Sequence, residues 1–152
     1  MTEFSTYRIV LYLFAGAALA ICVTLFFVSA PYGRHARKGW GRMIPSRWGW
    51  LIMEAPASLL VICFFITGDR KDLVPVLLFG IWQFHYAHRA FIYPFTLRAR
   101  PMPLSVTGFA FLFNLINGYI QGVWLFFLAP AAAYRIEWLT DPRFIIGAVL
   151  FF

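Results

Sequence analysis

Ile9–Ala30 reads IVLYLFAGAALAICVTLFFVSA, 22 residues without a charge. As a helix it rises roughly 33 Å, enough to cross the hydrocarbon core of a bilayer. A secretory signal is the competing reading, and Val28-Ser29-Ala30 resembles a cleavage site. The apolar core of a signal, however, runs only about 7–15 residues, and further apolar runs follow. The stretch is read as a retained first span, and the fold class as an all-α integral membrane protein, a multi-span helical bundle.

Working outward, Trp48–Gly68 contains one charge, Glu54, and Leu73–Phe95 contains one, Arg89. Pro101–Tyr134 has none and holds a span from about Leu104 to Pro130. A last run, Phe144–Phe152, would rise only about 14 Å as helix, less than half a crossing. The expected spans are therefore 9–30, 48–68, 73–95 and 104–130, with 144–152 an incomplete fifth. They form one transmembrane domain over 1–152, with the chain read as the N-terminal portion of a longer protein. Composition agrees: 62% of the 152 residues are hydrophobic and 12% charged, and mean hydropathy is +0.75. Ordinary soluble domains are about 45–50% apolar and about 25% charged. A soluble domain, a disordered tail and a nucleic-acid module are excluded. Cys22 and Cys63 both lie in apolar runs and define neither a disulfide framework nor a metal cluster.

The net charge is +7. In so apolar a chain the basic excess belongs in cytosolic loops beside anionic lipid. Residues 31–47 carry Arg34, Arg37, Lys38, Arg42 and Arg47, and residues 96–103 carry Arg98 and Arg100. The opposite side carries Arg8, Arg70, Lys71, Arg135 and Arg143, interleaved with acids. Loops 31–47 and 96–103 are expected to be cytosolic and the N-terminus to lie outside, in a bacterial inner membrane or the endoplasmic reticulum. Trp40, Trp48 and Trp50 suit an interfacial aromatic belt on the cytosolic face.

Only Glu54 and Arg89 place a charge well inside a span. A charge at mid-membrane costs roughly 2.5–3.5 kcal/mol on insertion scales, so such residues mark a bundle interior or a wet cavity. Rise per residue puts Glu54 and Arg89 each about 9 Å below the cytosolic end of their spans, and Tyr86 about 14 Å below. All three share one half of the membrane. A Glu54–Arg89 pair that merely fixes helix register is the bland alternative. The third span also carries Gln83, His85, His88 and Tyr93. Two histidines with no nearby acid are better read as hydrogen-bonded packing residues than as metal ligands, and no metal is expected. In the fourth span Asn114, Asn117 and Gln121 line one helix face with Gly118 between them. Interhelical glue and ligand lining are equally consistent with these amides. GxGxxG, P-loop, GxSxG and HExxH patterns are absent from the sequence.

Six motifs in order carry a resemblance to the steroid 5α-reductase family of membrane enzymes. They are Pro31-Tyr32-Gly33-Arg34-His35, Met53-Glu54-Ala55-Pro56-Ala57-Ser58, His85-Tyr86-Ala87-His88-Arg89-Ala90-Phe91-Ile92-Tyr93, Arg98-Ala99-Arg100-Pro101-Met102-Pro103, Asn117-Gly118-Tyr119-Ile120-Gln121-Gly122 and Asp141-Pro142-Arg143-Phe144. The resemblance implies a seven-helix enzyme that uses NADPH to reduce the 4,5 double bond of 3-oxo-Δ4 steroids. It makes Glu54 and Tyr86 the catalytic pair on the steroid 3-oxo group. It assigns Tyr32, Arg34, Arg89, Arg98, Arg100 and Asn117 to the cofactor, and Met53, Trp50, Gln121 and Phe113 to the substrate pocket. Met53 departs from the pattern, standing where the steroid enzymes commonly have glutamine. The expected partners are a steroid or related lipid and membrane lipid, with no nucleic acid, and the expected state is a monomer. A reductase of enoyl thioesters or polyprenols, and a non-enzymatic bundle, are the alternatives.

The implied chemistry explains a buried acid. Hydride addition to an enone builds negative charge on the carbonyl oxygen, and preformed donors there are worth about 3–4 kcal/mol each. Tyr86 can donate as it stands. Glu54 can donate only when protonated, the form that hydrocarbon favours. A close Arg89 would ionise the acid, so Arg89 is expected to point toward cofactor phosphate or the cytosolic surface and away from Glu54.

Overall fold

The computed structural model describes residues 3–31, 35, 39–98 and 100–151. The first apolar run is one helix, α1 (Glu3–Phe27). A short strand, β1 (Met43–Pro45), leads directly into α2 (Ser46–Thr67). The next helical stretch is continuous from Leu73 to Thr96 but not uniform. It comprises α3 (Leu73–Tyr86), a π-helical turn over Ala87–Ile92, and α4 (Tyr93–Thr96). Strand β2 (Pro101–Pro103) leads into α5 (Leu104–Val123), which widens into a second π turn at Trp124–Leu128. Two 3₁₀ turns, Ala131–Tyr134 and Ile136–Thr140, precede α6 (Pro142–Phe151).

Among the described residues, three helices are long and apolar enough to cross a membrane by length and composition: Glu3–Phe27, Ser46–Thr67 and Leu104–Leu128. The chain is thus a membrane helical protein. Three such helices are found where four full spans are expected; the continuous helical stretch Leu73–Thr96, with Gln83, His85, His88 and Arg89, is too polar to count among them.

The strands clip the bundle together. β1 and β2 pair antiparallel, with Met43 opposite Pro103, Ile44 opposite Met102 and Pro45 opposite Pro101. Prolines suit so short an edge pair, because they end a ladder and cannot extend it. The Ser46 N–H donates to the Arg100 carbonyl at 2.8 Å, and the Leu104 N–H to the Arg42 carbonyl at 2.8 Å. The Arg100 N–H in turn donates to the Ser46 hydroxyl at 3.1 Å. The first turns of α2 and α5 are therefore held side by side, with the strand pair at their common end.

From the clip, α2 and α5 run parallel. Successive contacts pair Gly49 with Thr107, Met53 with Asn114, Ala57 with Gly118 and Phe64 with Gly122. A Cβ at Gly118 would sit 3.5 Å from the Ala57 Cα, the close approach that small residues permit between membrane helices. α3 runs antiparallel to α2: Phe79 stacks on Phe65 with ring centroids 4.1 Å apart, and further along Phe95 meets Trp48 at 6.2 Å. α1 leans on α5 through Tyr7–Trp124 and Phe14–Phe113 contacts at 5.9 and 4.6 Å, again antiparallel. Its other face is exposed, as expected of a helix solvated by lipid.

Candidate functional site

α2 carries its acid beside a proline inside the helix. Pro56 has no N–H to continue the ladder, and its ring crowds the preceding turn, the one that carries Met53 and Glu54. Asn114 of α5 answers there: its amide donates to the Met53 carbonyl at 2.7 Å and reaches a Glu54 carboxylate oxygen, Oε2, at 3.4 Å. Glu54 is 4% exposed and Asn114 7%. On the facing helix, Tyr86 closes α3 and is 7% exposed. The π turn begins at the next residue. Its extra residue per turn shifts the side-chain phase beyond Ala87, a feature often found at functional sites.

The π turn carries Arg89, and here the structure corrects the sequence reading. Arg89 does not turn away from Glu54. Its Nε donates to Glu54 Oε1 at 2.9 Å, and its guanidinium lies 5.2 Å from the Trp50 ring centroid. The physical reason is that two charges at one depth each carry a desolvation cost, which direct pairing offsets. The guanidinium keeps partial access to water, with 43% of its side chain exposed against 5% for Glu54.

Around this pair is a cavity of about 360 Å³. α2 contributes Trp50, Met53 and Glu54 to its wall, the α3–π segment His85, Tyr86 and Arg89, and α5 Phe113, Asn114 and Asn117. A few polar groups thus share the cavity with apolar Met53, Met102, Val106 and Phe113, the mixture of a small-molecule site. Of the residues singled out in the sequence, Glu54, Tyr86, Met53, Trp50, Phe113, Asn117 and Arg89 all meet here. Gln121 does not. It lines a second cavity of about 530 Å³ between α3, α5 and α6, which shares Asn117 with the first. Trp50 is a cavity residue as well as a member of the aromatic rim.

The exposed Arg98 and Arg100 sit outside the cavity beside the strand clip. The ion pairs among the described residues use Arg89 and Arg143, which leaves both rim arginines to solvent or ligand. Tyr32 and Arg34 lie outside the described residues. His85 packs against Phe151 and Tyr86, at 4.3 and 5.2 Å between centroids. Among the described residues no group of three or more metal-ligating side chains occurs. Cys22 and Cys63 are free and exposed.

Sequence reasoning left two features out of the site. Asn114 was visible as a member of the amide stripe of the fourth span, but nothing in the stripe says that it faces Glu54. Ser58, Trp82 and Gln83 hold α2 to α3 one turn from the acid; Gln83 stands out as polar in the third span, but nothing in the sequence names its partner.

A family model described as 3-oxo-5-alpha-steroid 4-dehydrogenase matches residues 100–152. The chain is 37% identical over 161 residues to the steroid 5-alpha-reductase DET2 of Arabidopsis thaliana, covering 97% of this chain and 58% of that protein. It is 34% identical over 145 residues to 3-oxo-5-alpha-steroid 4-dehydrogenase 1 of Bos taurus, covering 91% and 55%. The corresponding human protein is 36% identical over 120 residues, covering 76% and 45%. The chain spans about half the length of the curated relatives it matches.

Proposed function

Since the chain belongs to the steroid 5-alpha-reductase family, we propose that it supplies the carbonyl-binding half of an NADPH-dependent reductase of the 4,5 double bond of 3-oxo-Δ4 steroids. The observation that carries this reading is the 360 Å³ cavity whose lining combines a buried acid, a buried phenol and an amide with apolar side chains. A ketone on an otherwise apolar ring system needs that combination.

The substrate's 3-oxo oxygen is bound by Tyr86 and Glu54. As hydride adds at C5, the C4–C5 π electrons move to C3–C4 and charge builds on that oxygen. The Tyr86 hydroxyl donates to it. Glu54 donates in its protonated form, and proton uptake releases it from the Arg89 contact. Asn114 keeps the carboxyl in place through the change, and Met53 and Phe113 exclude water from the ring face. Carbon C4 then takes a proton to complete the saturated ketone. The exposed guanidinium groups of Arg98 and Arg100 would hold the cofactor phosphates, since their charge is permanent and their forks match phosphate oxygens. NADPH, when bound, supplies the hydride.

The test compares a 4-en-3-one steroid with the same Δ4 steroid lacking the 3-oxo group, and with a trans-2-enoyl thioester, following NADPH consumption by the membrane-embedded protein. Turnover of the enone alone is expected. Equal turnover of the 3-deoxy compound, or preference for the thioester, overturns the reading.

A further inference from the structure

One helical turn below the acid, α2 and α3 are joined by a closed set of hydrogen bonds. The Ser58 hydroxyl donates to Gln83 Oε1 at 2.7 Å, and the Gln83 amide returns a bond to the Ser58 carbonyl at 3.2 Å. The indole N–H of Trp82 donates to the adjacent carbonyl, Ala57 O, at 2.9 Å. The orientation of the amide is fixed by this chemistry. A backbone carbonyl only accepts, so the amide nitrogen faces it, and the hydroxyl must then donate to the amide oxygen. Ser58 is buried at 3% exposure.

The clasp is in phase with the site. Ser58 lies four residues beyond Glu54, on the same face of α2. Gln83 and Trp82 lie three and four residues before Tyr86, and the Trp82 ring packs on the Tyr86 ring at 4.7 Å. Both catalytic side chains thus stand one turn from the same clasp, each on its own helix. What the clasp fixes is the sliding and rotation of α3 against α2, which set where the phenol lies relative to the carboxyl. Beyond Tyr86 the helix enters the π turn, so Tyr86 stands between two polar ties to α2, the clasp on its regular side and the Arg89–Glu54 pair on its π side, and the clasp is the one carried by the same regular α-helical ladder as Tyr86.

We infer that Gln83, through Ser58, is a positioning residue for the reaction: it sets the α2–α3 register that aligns Tyr86 with Glu54 on one carbonyl oxygen. This rests on the roles proposed for Tyr86 and Glu54. The clasp touches neither cavity ligand nor reacting atom, so its loss acts on alignment. A displacement of about 1 Å from a remote change can cost about 10²-fold in rate.

The experiment uses the intact protein in lipid, with the enone steroid as substrate. Gln83→Leu and Ser58→Ala each lower kcat roughly ten- to hundredfold while KM stays within about threefold. The double variant is no slower than the worse single, because either change opens the same clasp. Should Gln83→Leu fail to accumulate, Ser58→Ala carries the test alone, since it removes one oxygen. Unchanged kcat in Ser58→Ala, a loss expressed wholly in KM, or multiplicative losses in the double variant overturn the inference. An unmodified protein that does not reduce the enone overturns the underlying reading instead, which keeps the two failures apart.

Discussion

Arg89→Met tests the ion pair at the centre of the cavity. The variant keeps an apolar stem over Trp50 but leaves the Glu54 carboxylate without its cation. Removing one partner of a fully buried pair costs about 3–5 kcal/mol. The Arg89 side chain is 43% exposed, and water screens part of that charge, so the loss falls to about 2 kcal/mol. The guanidinium–indole contact adds about 0.5–1 kcal/mol. At about 2–4 °C per kcal/mol for a chain of this size, Tm should drop by about 5–12 °C. Thermal unfolding in detergent, read by tryptophan fluorescence, measures it. Glu54→Gln added to Arg89→Met should restore most of the loss, because a neutral amide no longer needs the cation. An Arg89→Met protein as stable as the parent would refute the reasoning, as would a double variant no more stable than Arg89→Met.

Three further outcomes are expected. Asn114→Leu leaves the Met53 carbonyl without its amide donor and should lose about 1–2 kcal/mol in the same unfolding assay. A methyl at Gly122 would collide with the Phe64 ring, so Gly122→Ala should cost about 1–3 kcal/mol, whereas Gly108→Ala, which meets open space, should be neutral. At the start of α6, Asp141 accepts from the Arg143 N–H at 2.8 Å and grips its guanidinium at 2.9 and 2.6 Å, and these bonds pull the carboxyl down to about 2. A depressed acid stabilises above its ordinary value of 3.8 and loses that contribution as pH falls through about 2. Hydrogen exchange in α6 should therefore be independent of this group between about pH 5 and 8, accelerate on acidification through its titration, and be fast at neutral pH in Asp141→Ala.

The legible part of the fold was the part written as composition. Charge-poor runs locate α2 and α5 to within about two residues and α1 apart from its first six residues, which carry Glu3 and Arg8, because a bilayer demands long apolar helices with internally paired backbones. The strand clip was not legible: Met43–Pro45 and Pro101–Pro103 are proline-bounded tripeptides with no alternation, and their pairing is a long-range event between two loops. The π turn after Tyr86 leaves no mark in composition either, since an extra residue in a turn changes phase and not residue type. At the site, depth arithmetic put Glu54, Tyr86 and Arg89 in one layer, where the structure finds them together. It did not give the direction of Arg89. The expectation weighed the acid's chemistry and overlooked that each buried charge is the nearest compensation for the other. Asn114 and Gln83 show the remaining limit, because an amide in a membrane helix signals a partner without naming it.

The most direct measurement of the central claim, that Tyr86 and Glu54 receive a ketone oxygen in this cavity, is the single-turnover rate of 4-en-3-one reduction in Tyr86→Phe, with NADPH affinity measured on the same sample. Loss of one donor to a developing oxyanion slows the step by about 10²–10³-fold. The account predicts a fall of that size with cofactor affinity within about threefold of the parent. An unchanged rate would contradict it.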